Sequence, residues 1–312
     1  MILKPPRLKQ GDTIGIISPG SYPANKDRFW EGIRYLESRG FSVVTARHVL
    51  DEYGYLAGRD QDRVEDLEAM FLDPKVKAIF CSRGGYGTPR ILTRINYEVI
   101  KRNPKIVVGY SDITALQLAL LAKAELMTFS GPMVAIEMGA GMSPFTETNF
   151  WRLLTSDEKI GPLRNPQDSE IKVIKKGLAK GRLIAGCISV LTGLVGTHYL
   201  PALKECILVI EEVDEEPYRI DRYLMQLRLS GILENINGLV FGQFIDCVPK
   251  DKQKPTLTVE EIIDQVTADL KIPVIMGLAY GHSEEKLTLP IGAKACLDTE
   301  GGGLEILENV VV

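Results

Sequence analysis

The sequence predicts an α/β protein of two domains, an N-terminal domain on a parallel sheet and a C-terminal α/β domain with a strand-rich end. Three observations carry this. Short β-rich runs alternate with helical patterns through the first half, which implies βαβ units and a mostly parallel sheet with helices on both faces. The periodicity then weakens over a stretch dense in turn formers, and the alternation resumes beyond it. A chain of 312 residues suits about two domains, and a hydrophobic fraction of 45% is ample for their cores.

In chain order, TIGIIS (13–18) reads as the first strand and DRFWEGIRYLESRG (27–40), beyond a polar loop, as the first helix. FSVVTA (41–46) and KAIFCS (77–82) are strands flanking the helix DRVEDLEAMFLD (62–73), and a helix from TPRILTRI (88–95) precedes the strand KIVVGY (105–110). Ile106, Val107 and Val108 suit a central strand whereas Leu116, Leu118, Ala119, Leu120 and Leu121 favour helix, so the switch falls at Ser111. Ligands of such sheets sit beyond the carboxyl ends of the strands. Ser18, the loop SRGGYG (82–87) and Ser111 lie on that edge. Turn formers in GAGMSPFTETN and GPLRNPQDSE mark a linker over 141–168, between an N-terminal domain of 1–140 and a C-terminal domain of 169–312.

The second domain opens with IKVIKKG (171–177) and GRLIAG (181–186), followed by the helix-like ISVLTGLVGT (188–197) and the strand CILVIEE (206–212). The helix YRIDRYLMQLRLSG (218–231), the strand GLVFGQF (238–244), the helix TVEEIIDQVTADL (258–270) and PVIMGLA (273–279) lead to a strand-rich tail. Thr258 and Glu261 have capping-box spacing, and Gly301-Gly302-Gly303 reads as a tight hairpin turn.

Composition narrows the function classes. A net charge of −4 without a long run of one sign supports neither nucleic-acid nor polybasic membrane binding, so a small-molecule or peptide substrate fits better. Prolines and basic residues interrupt MILKPPRLKQGDTIGIIS where a signal peptide needs an apolar core, and no span is long enough to cross a bilayer. The five cysteines, at 81, 187, 206, 247 and 296, are scattered and form no C-x-x-C pair, which speaks against a disulfide framework and a structural zinc site. A reducing cytoplasm is the expected compartment.

A strand that ends in a sharp turn and feeds a helix lifts the turn's side chain clear of the sheet at the positive end of the helix dipole. Gly109-Tyr110-Ser111-Asp112-Ile113 has the leading glycine of the G-x-S-x-G elbow but not the trailing one, so Ser111 is either a nucleophile or a helix cap, and this stretch alone favours the cap. A serine nucleophile needs a base, and the histidines are His48, His198 and His282. His48 and His198 read as structural; His282, in the polar loop GLAYGHSEEKLTLP just past a strand, is either a base or a surface histidine. Glu211 and Glu212 end the apolar strand CILVIEE, and adjacent strand residues face opposite ways, so the two should not share a role. An oxyanion needs backbone donors, which the start of the helix near Asp112 and the glycine loop RGGYG are suited to supply. Neither G-x-x-x-x-G-K-[ST] nor H-E-x-x-H occurs, so nucleotide hydrolysis and zinc peptidase chemistry have little sequence support.

These residues belong to a longer series. LAGRDQDRVEDL, DPKVKAIFCSRGGYG, NPKIVVGYSDITAL, SGPM, LVIEEVDEEPYRIDRYLMQL and GLAYGHSEEKLTLPIG, in this order from about Lys4 to the last strands, resemble the murein tetrapeptide LD-carboxypeptidases. The resemblance implies a serine peptidase with Ser111 as nucleophile, Glu211 as orienting carboxylate and His282 as general base, and with the backbone amides of Gly85 and Asp112 as oxyanion hole. It gives the Asp112 side chain no catalytic role, which leaves helix capping. It also implies a flavodoxin-like or amidotransferase-like N-terminal domain that carries the serine and a C-terminal domain that carries Glu211 and His282, with the site at their interface. The implied reaction releases the terminal D-alanine from the murein tetrapeptide in cytoplasmic peptidoglycan recycling, by a homodimer that needs no metal or other cofactor.

Two departures and two alternatives accompany the resemblance. Ser130 in TFSGPM stands where many relatives have histidine, and AGCISVL replaces a more usual double glycine. The family includes hydrolases of peptidyl-nucleotide antibiotics such as processed microcin C; Trp30 and Trp151 are the only tryptophans, and Trp151 keeps a base-stacking role open. Outside the family, the alternative is a non-catalytic protein that binds its ligand between two lobes, with Ser111 as a helix cap. A carboxypeptidase must also read a free carboxylate, for which a helix N-terminus or Arg83 is suited.

Overall fold

In the computed structural model, which describes residues 2–167, 169–251 and 253–312, strands and helices alternate as the patterning requires. The first half runs β1 (Thr13–Ile17), α1 (Lys26–Ser38), β2 (Ser42–Thr45), α2 (Asp60–Leu72), β3 (Val76–Cys81), α3 (Thr88–Ile91), α4 (Tyr97–Arg102), β4 (Ile106–Gly109), α5 (Ile113–Ala124) and β5 (Thr128–Ser130). TPRILTRI therefore yields only the short α3. A separate α4 follows because Asn96 accepts a hydrogen bond from the Val99 amide and starts a new helix.

A π-helical turn (Val134–Met138) and α6 (Pro144–Thr155) lead into β6 (Gly161–Leu163), β7 (Lys172–Lys175), β8 (Leu178–Cys187), α7 (Ile188–Thr192) and β9 (Cys206–Val213). The chain continues through α8 (Pro217–Leu229), α9 (Ile232–Asn235), β10 (Gly238–Ile245), α10 (Val259–Thr267) and β11 (Val274–Met276) to β12 (Leu289–Ile291), β13 (Lys294–Asp298) and β14 (Gly303–Ile306).

The first sheet has the order β12-β5-β4-β3-β1-β2; its members from the first half are all parallel, and β12 returns from the far end of the chain to pair antiparallel with β5. β4, and β3 beyond the exposed Lys77, are apolar without alternation, as strands buried on both faces must be. The second sheet has the order β6-β14-β13-β8-β9-β10-β11-β7, with β8 to β11 parallel at its centre and antiparallel strands on both flanks. The strand-rich end is this flank: β13 and β14 form a hairpin whose turn is held by Asp298 Oδ1, which accepts from the Glu300 and Gly301 amides.

α5 explains how the sheets meet. It is apolar on nearly every face, with all residues from Ile113 to Leu121 buried, and a helix of that kind belongs inside a protein. It lies against β4 and β5 of one sheet and against β8 and α7 of the other. Gly186 admits it closely, since a Cβ there would fall 2.2 Å from Thr114 Cγ2, and the Cys187 amide donates to Thr114 Oγ1 at 3.2 Å.

Within 141–168 the structure holds α6 and β6; Asp168 lies outside the described residues. The turn formers Ser143 and Pro144 are here helix-start residues: Ser143 Oγ accepts from the Thr146 amide, and Pro144 occupies the first turn, where its missing N–H costs nothing. Trp151 on α6 is 7% exposed, stacks on Phe41 at 5.1 Å and donates to Tyr35 Oη at 2.7 Å. It is a core residue, and the stacking role left open for it falls away.

Thr258 and Glu261 form the capping box read from their spacing: the Thr258 amide donates to Glu261 Oε2 and the Glu261 amide to Thr258 Oγ1. Thr258→Ala is expected to lower unfolding free energy by about 1 kcal/mol, measured by urea denaturation.

Candidate active site

The carboxyl ends of β1, β3 and β4 carry the first half of the site. Ser18 and Ser82 follow β1 and β3 and share a buried hydroxyl hydrogen bond of 2.6 Å, with Ser82 the first residue of the glycine loop. Beyond β4, Ser111 has φ of 64°, a left-handed conformation that is uncommon for any residue with a side chain and that turns the chain sharply into α5. The glycine loop comes down on it. A Cβ on Gly84 would fall 2.8 Å from Ser111 Cβ and 3.0 Å from its Oγ, so only glycine lets the loop approach the hydroxyl this closely. Among the described residues neither the Gly85 nor the Asp112 amide donates to a protein acceptor.

The Asp112 side chain does not cap α5. Asp112 has φ −53° and ψ −28°, already helical, whereas a capping residue needs extended backbone to bring its side chain onto the first-turn amides. The carboxylate instead turns to the neighbouring loop and accepts from the Thr88 amide at 2.9 Å, while Thr88 Oγ1 donates to the Asp112 carbonyl. Burial raises the pKa of this carboxyl against the lowering effect of the Thr88 and Gly87 bonds. Arg63, buried on α2, adds a second brace: its Nη1 donates to the carbonyls of Pro19 at 2.5 Å and Gly87 at 2.9 Å, joining the loops after β1 and β3. Neither brace was legible from spacing, because each joins a side chain to backbone far along the chain.

The second half of the site comes from β9 and the loop after β11. Glu211 is 1% exposed, and its Oε2 lies 2.7 Å from His282 Nδ1. Glu212 faces the other way, accepting from the amides of Ser189 at 2.9 Å and Val213 at 3.0 Å and from Cys187 Sγ. Strand alternation thus separates the adjacent carboxylates, one to an imidazole and the other to the start of α7. Gly281 is required beside this pair: with φ of 122°, a Cβ on it would fall 2.5 Å from Glu211 Oε2.

The two halves meet through Tyr110. This residue immediately precedes Ser111, and its ring packs edge-on against the His282 imidazole with centroids 4.9 Å apart. An imidazole whose Nδ1–H donates to a carboxylate keeps Nε2 as an acceptor, the tautomer a general base needs. His48 pairs with Asp51 at 2.7 Å and His198 is exposed, so neither joins this group. Both departures noted in the sequence resolve into packing: Ser130 Oγ hydrogen-bonds Tyr280 Oη at 2.8 Å in the interior, and Cys187 donates its thiol hydrogen to Glu212.

A cavity of about 370 Å³ opens between the halves, lined by Tyr86, Pro89 and Asp112 from one side and Ser189, Val190 and Leu194 from the other. Arg83 borders the glycine loop, its Nη2 3.7 Å from where a Cβ on Gly85 would sit, and among the described residues its buried Nε has no hydrogen-bond partner. Among the described residues no three His, Cys, Asp or Glu side chains gather closely enough to share a metal ion, and no helix is long and apolar enough to cross a membrane.

Comparison with known proteins assigns the class. Residues 14–131 match the LD-carboxypeptidase N-terminal domain and residues 180–297 the LD-carboxypeptidase C-terminal domain. A probable murein peptide carboxypeptidase of Bacillus subtilis strain 168 is 36% identical over 302 residues, spanning 95% of this chain and 92% of its own. The structure of MccF in complex with glutamyl sulfamoyl guanosine has a TM-score of 0.91 at 26% identity, over 99% of this chain and 100% of that one. The crystal structure of muramoyltetrapeptide carboxypeptidase from Oxalobacter formigenes has a TM-score of 0.83 at 30% identity, over 96% and 100%. The chain belongs to the LD-carboxypeptidase family, and with it to the carboxypeptidases among the hydrolases.

Burial raises the Glu211 pKa above its ordinary 4.5, with the His282 bond offsetting only part of that effect. The folded protein therefore binds this proton more tightly than the unfolded chain: the cost of a charged Glu211 is absent below pH 4.5 and complete above the raised value. Glu211→Gln, which keeps an acceptor for Nδ1, is expected to gain stability relative to the parent as pH rises from 4.5 through neutrality; a pH-independent difference in urea midpoints would contradict this.

Proposed function

We propose that this protein is a serine-type LD-carboxypeptidase that releases the C-terminal D-alanine of murein tetrapeptide, with Ser111, Glu211 and His282 as its catalytic triad. The observation that carries the reading is the 2.7 Å bond between His282 Nδ1 and the buried Glu211, on an imidazole packed against the residue that precedes Ser111. His282 Nε2 takes the Ser111 proton as Oγ attacks the scissile carbonyl, and the Gly85 and Asp112 amides donate to the developing oxyanion. The imidazolium then protonates the departing amine of D-alanine. Water attacks the acyl-enzyme with the same imidazole as base.

The names of the Bacillus and Oxalobacter relatives support a murein peptide substrate, and with it a setting in cytoplasmic peptidoglycan recycling. The proposed working form is a homodimer of two domains, 1–140 and 169–312, and light scattering in solution checks the assembly. The likeness to MccF bound to glutamyl sulfamoyl guanosine favours a second reading, hydrolysis of a peptidyl-nucleotide conjugate by the same triad. The buried state of Trp151 weighs against it by removing the aromatic platform the sequence offered.

Ser111→Ala and His282→Ala are each expected to lower D-alanine release roughly 10⁴-fold or more without unfolding the protein, because triad members act as a unit. Glu211→Gln should be severe and Glu212→Gln mild. Parallel incubation of the parent with murein tetrapeptide and with a peptidyl-nucleotide conjugate, followed by mass, tests the reading; cleavage of the conjugate alone would transfer it to the second one.

The Arg83 guanidinium beside Gly85, whose buried Nε has no hydrogen-bond partner among the described residues, supports a role in reading the substrate's terminal carboxylate. Arg83→Ala should raise KM far more than it lowers kcat in steady-state kinetics, and the opposite split would discard the role.

A further inference from the structure

His282 sits in a short loop pinned to the first half of the chain on both sides. Upstream, Tyr280 Oη hydrogen-bonds Ser130 Oγ on β5 at 2.8 Å. Downstream, the Lys286 amide donates to Thr146 Oγ1 on α6 at 3.0 Å, and the Lys286 ammonium turns inward. Its Nζ lies 2.5 Å from Glu137 Oε1, 3.2 Å from Tyr110 Oη and 4.3 Å from the centroid of the Tyr110 ring. Tyr110 Oη in turn donates to the same Glu137 oxygen at 2.7 Å, and Glu137 Oε2 accepts from the Met133 amide at 2.9 Å.

A buried ion pair of this kind is not needed for stability as such. The Lys286 side chain is 3% exposed and that of Glu137 10%, and apolar residues of similar volume often serve as well at such positions. What the pair supplies is direction, since both Glu137 oxygens are engaged and the phenol is held by its hydroxyl and its ring face at once. Glu137 lies in the π-helical turn, a form of helix frequent at functional sites. The phenol so held is the one whose ring touches His282 and whose backbone leads into Ser111.

We infer that Lys286 and Glu137, with Tyr110 between them, form a positioning unit that sets the His282 imidazole beside the Ser111 turn across the boundary between the two halves. The role rests on the triad proposed above, but Lys286 and Glu137 act through Tyr110 and the loop and take no part in proton transfer themselves. Loss of either charge leaves its partner buried without a counter-ion and removes one of the phenol's two holds. The imidazole then loses one wall.

The test combines kinetics on murein tetrapeptide with proton NMR of the intact protein. The signal is the downfield Nδ1–H resonance expected of an imidazole bonded to a buried carboxylate. Lys286→Met and Glu137→Gln are each expected to lower kcat about 10- to 100-fold with KM little changed, the cost of a misplaced catalytic group, and to shift or broaden that resonance. The double variant removes both charges together, so it is expected to fold and to show the same defect as either single one rather than their sum. Tyr110→Phe, which keeps the ring face against the Lys286 ammonium but loses the hydroxyl bonds, should show a weaker form of the same defect. A folded single or double variant with parental kcat and an unaltered resonance would overturn the inference while leaving the reaction in place. A parent that releases no D-alanine, but whose resonance still depends on Lys286 and Glu137, would overturn the proposed reaction and keep the positioning unit.

Discussion

A carboxylate taken out of water at the end of a central strand has to be met by a donor, and in this protein the donor is an imidazole brought from a loop more than seventy residues further on. Much of the surrounding architecture serves that meeting. Gly281 leaves room for the Glu211 carboxylate, and Tyr280 and Lys286 pin the loop on either side of His282. Glu212, one residue along and facing the opposite way, is occupied at the start of α7, so it does not compete for the imidazole.

The second constraint is that serine and imidazole come from different halves of the chain, so where they stand relative to one another depends on how the two sheets pack. α5 settles that packing. Being apolar on nearly every face, it has to be enclosed, and enclosing it puts β8 and α7 of one half against the helix whose first turn follows Ser111. β12 reinforces the junction by completing the first sheet with a strand from the far end of the chain. The cavity therefore opens where the carboxyl ends of the parallel strands meet the second half, as expected for open α/β sheets.

The serine half of the site also shows how a strained residue is held. A left-handed Ser111 persists because its surroundings over-determine it: Gly84 presses on the side chain, Asp112 ties the turn to Thr88, and Arg63 ties the loops together from below. Asp112 thus has a structural task different from the helix capping its residue type suggests.

Local rules made much of this visible in the sequence. β-branched runs and helical periods determined the alternation of elements, because side-chain shape and burial act over a few residues, and the same short range marked the Ser111 switch and the capping box at Thr258. Strand alternation alone separated Glu211 from Glu212. What local rules misjudged were residues with two meanings: Ser143 and Pro144 read as turn formers but start a helix, and Asp112 reads as a cap but braces a loop. Tertiary structure alone decided the bond between Glu211 and His282, the burial of Trp151, and the convergence of Glu137, Tyr110 and Lys286. Each of these joins side chains distant along the chain, and only the packing of two sheets around one enclosed helix brings them together.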